Sequence, residues 1–153
     1  MLCIYLTALA TGSRVSELAA LLRSDDAVCF SGDGVTFFLN LNFLAKNKNP
    51  LFRRNPLFIS RLFRRDGSPH PLCPIWNLGQ YLEVSSASRG LNLFFDSVSF
   101  HSLSLAKIRL LLCKFIRLTD PESFPKSHDL RKVASSFAFL RTMSLADIYE
   151  VVG

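Results

Sequence analysis

The chain has 153 residues, 49% of them hydrophobic, which is enough for one buried core, and its formal charge of +6 with a pI of about 9.5 favours a polyanionic partner. Its four cysteines, Cys3, Cys29, Cys73 and Cys113, show no short Cys-Cys or Cys-His spacing, so neither a disulfide framework nor a zinc site is suggested, and free thiols acting as small apolar residues are expected. No apolar run is long enough to span a membrane, because the greasiest, residues 103–118, is broken by Lys107, Arg109, Lys114 and Arg117.

The positive excess is concentrated in one place. Lys46, Lys48, Arg53, Arg54, Arg61, Arg64 and Arg65 lie within 20 residues that hold no acid; elsewhere the other 11 of the 18 cations face all 12 acids, a net of −1. That segment is the natural candidate for contact with phosphates.

Residues 2–10 are apolar almost throughout and read as a buried helix; without a basic n-region the stretch is not a signal peptide. Thr11-Gly12-Ser13 stops it. A short second helix is expected from about Arg14 to Leu22, with Ser13 as N-cap, Glu17 complementing the dipole, and Val15, Leu18, Ala19 and Leu22 as the buried stripe. Arg14 then sits at its outward N-terminal edge.

From Val28 the period changes. Val28 to Phe30 and Val35 to Leu41 read as two antiparallel strands around a Ser31-Gly32-Asp33-Gly34 turn, and Pro56 to Ile59 as a third, edge strand after the Asn47-Lys48-Asn49-Pro50 turn. A surface loop, residues 66–71, leads to a helix from Ile75 to about Val84, started by Pro74. Leu91 to Phe95 suggests one more short strand. Ser104 caps a long helix in which Leu105, Ile108, Leu112, Phe115 and Ile116 recur at helical spacing, and Asp120-Pro121 ends it.

A helix from about His128 to Leu140 is expected to bury Leu130, Val133, Ala134, Phe137 and Ala138, with His128, Arg131 and Ser135 on an adjoining face. Ser144 caps a final helix to Val152, with Gly153 at its C-terminal position. The expected architecture is α+β, mainly α, in one domain with a small antiparallel sheet.

His128 and Arg131, three residues apart on a helix, project from one side, and Arg14 can complete a clamp on a small anion. Neither motif reads as supplying a carboxylate partner, so a phosphodiester is the obvious ligand. Charge that builds on its non-bridging oxygens during attack at phosphorus is stabilised by a preset cationic cradle, with no metal or cofactor required.

Thr11-Gly12-Ser13-Arg14-Val15-Ser16-Glu17-Leu18, a basic hairpin, His128-Asp129-Leu130-Arg131 and a capped helix closing on Gly153 follow in that order. This series resembles the catalytic domain of the tyrosine recombinases, the phage-integrase family, and Leu72-Cys73-Pro74-Ile75 running into Tyr81-Leu82 is similar to versions in DIRS-like retrotransposons. The resemblance implies that Arg14 and Arg131 hold the scissile phosphate, that His128 donates to it, and that Glu17 steadies the first arginine's helix. Lys46, or alternatively Lys48, would be the general acid toward the leaving 5′ oxygen, though either could be only a backbone contact. Arg53 and Arg54 would contact DNA beside them.

Residues 1–153 would then be a partial catalytic domain of a mobile element, without the core-binding domain that precedes it in the family and without the attacking tyrosine. Tyr149 falls in the wrong helix, and Tyr5 and Tyr81 match no nucleophile position. The implied activity is DNA strand cleavage and rejoining through a 3′-phosphotyrosine, in recombination and integration, with the chain inactive alone; a non-catalytic DNA-binding remnant is the alternative. Double-stranded DNA is the implied partner, self-association with other protomers is allowed, and the location is intracellular, nuclear if the source is eukaryotic.

Overall fold

A computed structural model describes residues 2–39, 56–86, 90–96, 99 and 101–140. Among them Leu2–Thr11 (α1) carries no charged residue, so more than one of its faces can be buried. Cys3, Ile4, Leu6, Thr7, Ala8 and Thr11 are all enclosed. Around α1 gather Val15–Ala20 (α2), Leu57–Ser60 (β3), Pro74–Val84 (α3), Leu105–Thr119 (α4) and Asp129–Leu140 (α5), each packed against it. Its partners meet in one core that includes Ile4, Leu18, Phe37, Leu78, Leu93, Ile108, Leu112 and Leu130.

Val28–Phe30 (β1) and Gly34–Phe37 (β2) complete an antiparallel sheet of order β1-β2-β3, which leaves β3 at an edge as the proline before it requires. Val28 pairs with Phe37, and Phe37 with Leu57; these three and Val35 and Ile59 face the core. Gly34 allows a close crossing. A Cβ there would come within 2.6 Å of the Phe58 ring and would also strike the Ile59 carbonyl.

Several boundaries differ from the sequence expectation, each through tertiary pairing. The second helix ends at Ala20, because Leu21 and Leu22 turn extended and bridge to Leu39 and Asn92. The expected strand at residues 91–95 is a run of isolated bridges: the Arg23 N–H donates to the Leu91 carbonyl, the Leu93 N–H to Leu21, and the Leu103 N–H to Phe94. Shared between two neighbours, the segment forms no continuous ladder with either. Pro74 itself begins α3, and Ser104 caps α4 as expected by accepting from the Lys107 N–H at 3.2 Å. Leu105, however, lies on the exposed side of α4.

The buried face of α5 needs a larger correction. Leu130 is enclosed and Ala134 and Ala138 are half-buried, but Val133 and Phe137 are 55% and 57% exposed. Arg131 and Ser135 share the half-buried side. The stripe against α1 is thus centred on the alanines and the arginine, rotated away from the two larger apolar side chains.

Candidate functional site

The two arginine motifs stand at the starts of α2 and α5, and both of these helices pack on α1. Gly12, at φ 59, ends α1 in the left-handed conformation that glycine tolerates. Thr11 fixes the turn: its hydroxyl donates to the Thr7 carbonyl at 2.7 Å and accepts from the Ser13 N–H at 3.2 Å.

Arg14, extended, is the N-cap of α2, one residue later than the Ser13 expected from sequence. Its N–H donates to Glu17 Oε2 at 2.6 Å, and its carbonyl accepts from the Glu17 N–H at 2.9 Å. Glu17 is 1% exposed, and its other oxygen stands 3.7 Å from Arg14 Nη1, with the arginine side chain 35% exposed. A buried carboxylate is costly unless paired, and this one is held by both the main chain and the side chain of the same residue. The guanidinium is thereby fixed at the rim of the core.

The second motif repeats the device. The Lys126 N–H donates to Asp129 Oδ2 at 2.7 Å, and the Lys126 carbonyl accepts from the Asp129 N–H at 2.9 Å. Asp129 Oδ1 accepts from the Lys132 ammonium at 3.0 Å and lies 3.7 Å from His128 Nε2. The Lys126 N–H above all, and then Lys132, hold the Asp129 carboxyl below its ordinary range. His128 is 60% exposed; Arg131, one turn further, has its Nη1 shielded from solvent, and its carbonyl accepts from the Ser135 hydroxyl at 2.8 Å. Buried Leu130 anchors this first turn to the core.

Both motifs therefore supply their own carboxylate, which corrects the expectation that neither would. The acids leave the positive character intact, because Arg14, Lys126, Arg131 and Lys132 are four cations against Glu17 and Asp129. They act instead as braces. Asp129, Lys126 and Lys132 had no role in the sequence reading, although Lys-x-x-Asp at 126–129 repeats the spacing of Arg-x-x-Glu at 14–17 ahead of an apolar helix. That cation-x-x-acid spacing was the available signal.

Lys46, Lys48, Arg53 and Arg54 lie outside the described residues, as does the expected helix of residues 144–152 with Tyr149. From the basic segment Arg61, Arg64 and Arg65 are described, all exposed. Arg61 donates to the Ser31 carbonyl at 3.3 Å. Tyr5 stacks on Phe115 with ring centroids 5.2 Å apart, and the Tyr81 hydroxyl accepts from the Phe95 N–H at 3.1 Å. Both are packing residues. Among the described residues no cluster of three or more His, Cys, Asp or Glu could hold a metal ion, and no helix is long and apolar enough to cross a membrane.

No protein-family model and no curated protein matches the chain. Solved structures do. A lambda integrase tetramer bound to a Holliday junction superposes with a TM-score of 0.58 at 15% identity, covering 98% of this chain and 39% of that one. A lambda integrase dimer, residues 75–356, bound to a COC′ core site gives 0.56 at 15% identity, covering 99% of this chain and 48% of that one. The chain thus spans from about two-fifths to about half of the length of these structures, and it shares their fold.

Proposed function

We propose that this chain is a DNA-binding domain of the tyrosine-recombinase type, whose two braced arginine motifs hold a phosphodiester for strand cleavage and rejoining. The observation that supports the reading is that Arg14 and Arg131 lie at the starts of two helices that both pack on α1, within an integrase-like fold. Two guanidiniums and an imidazole offer planar and single donors to the non-bridging oxygens, where charge accumulates as a nucleophile adds to phosphorus. Lys46 or Lys48 would protonate the 5′ oxygen as its bond to phosphorus breaks.

In this reading the attacking tyrosine is neither Tyr5 nor Tyr81, whose packing already occupies them. The 153-residue chain alone is expected to form no covalent adduct with nicked DNA. An adduct trapped on a denaturing gel and lost on changing Tyr149 would contradict this. The alternative, a DNA-binding remnant without catalysis, draws on the same packed tyrosines. A peptide bearing the nucleophile separates the two: cleavage restored by it and lost again in Arg14→Ala makes the cradle catalytic, while binding without cleavage favours the remnant.

A further inference from the structure

We propose that Lys132 is an additional phosphate contact of this interface, taking the phosphodiester next to the one held by His128 and Arg131. The inference rests on the DNA-binding reading above and extends it outward along α5. His128 stands in the turn just before α5, and Asp129 Oδ1 lies 3.7 Å from its Nε2 and 3.0 Å from the Lys132 ammonium, so Lys132 and His128 gather beside one oxygen at the start of the helix. Both reach solvent, with side chains 70% and 60% exposed. Arg131, at the half-buried edge, marks the inner end of the same surface. From the core outward the cations therefore run Arg131, His128, Lys132.

An exposed lysine ordinarily wanders. Here the ammonium is drawn to Asp129 Oδ1 at 3.0 Å, and that carboxylate is itself fixed by its second oxygen to the Lys126 N–H at 2.7 Å. The lysine is consequently tethered to the backbone at the start of α5, close beside the imidazole that shares the same oxygen. An ammonium has three N–H donors, more than one carboxylate oxygen engages. Phosphates recur about every 3.4 Å of duplex axis along each strand. Gathered beside one carboxylate oxygen, the Lys132 ammonium and the His128 imidazole are near enough to each other to touch neighbouring phosphates of one strand.

The test is the salt dependence of binding to a short DNA duplex, measured on the 153-residue chain, Lys132→Gln and Lys132→Arg, with thermal unfolding of each followed in parallel. Each phosphate contact adds about 0.9 to the slope of log K against log salt. Lys132→Gln is expected to lower the slope by about that amount, and Lys132→Arg to keep it. A steep wild-type slope that Lys132→Gln leaves unchanged overturns the inference and spares the DNA reading. A flat wild-type response removes the DNA reading, and the inference with it.

Discussion

Glu17 is the sharpest place to perturb this molecule, because one enclosed carboxylate serves both the backbone and the side chain of Arg14. Changing it to alanine removes the acceptor of the Arg14 N–H, at about 0.5–2 kcal/mol for a lost helix cap. It also removes one methylene at 1% exposure, about 0.8 kcal/mol. The guanidinium contact adds little, about 0–1 kcal/mol, since it spans 3.7 Å to a side chain 35% exposed. Together these predict a loss of about 1–4 kcal/mol for Glu17→Ala. Glu17→Gln keeps an acceptor and nearly all the volume, and is expected to lose about 1 kcal/mol. Urea denaturation at constant m-value reads both. Equal losses for the two variants, or an alanine variant within about 0.5 kcal/mol of wild type, would refute the view that Glu17 is a brace.

Gly34→Ala should destabilise by about 1–3 kcal/mol, because the added methyl meets the Phe58 ring and the Ile59 carbonyl together. Trimming Phe58 in the same chain should recover only part of that loss, and full recovery would show that the carbonyl is no obstacle. Asp129, whose carboxyl is held low by the Lys126 N–H and Lys132, stabilises the fold above its unfolded value of about 3.9, and this is lost as pH falls through its lower folded value. The stability difference between wild type and Asp129→Asn should therefore close on acidification below about pH 4; a difference that persists at every acidic pH where the chain is folded contradicts the assignment. Burial pushes the Cys3 thiol up to about 12, whereas Cys29 is exposed. Iodoacetamide at about pH 8 should then label Cys29 in the native chain and reach Cys3 only on unfolding, and mass spectrometry showing equal rates would oppose the burial of α1.

The helices and the sheet were legible in the sequence because each has a strong local signal. Alternation and a turn marked β1 and β2, Ser104 marked the start of α4, and Gly12 separated the first two helices. What escaped was set by partners distant in the chain. Nothing local to Leu21 and Leu22 announces that they will pair with Leu39 and Asn92 instead of extending the helix. On α5 the pattern admits a stripe through Val133 and Phe137 or one through Ala134 and Ala138, and only the close approach of α1 selects the second. The candidate residues Arg14, His128 and Arg131 were chosen by motif, while the acids beside them were missed or undervalued because the cations were read as unaccompanied. Ser13 drew attention as a cap, although the acceptor of the helix-start N–H stands three residues later, in Glu17.

The position of α1 also bears on how the molecule can open. A site on loops can loosen while its scaffold stays folded, and such loops exchange their amide hydrogens at low cost. Here the two arginine motifs belong to helices that lean on one interior helix in contact with every other described helix and with β3. Peeling either helix away exposes Leu18 or Leu130 to water, so the arginine motifs and the core should form a single cooperative unit. Amide exchange within α1 and the first turn of α5 is therefore expected to share one opening free energy, with no earlier release at the arginine motifs.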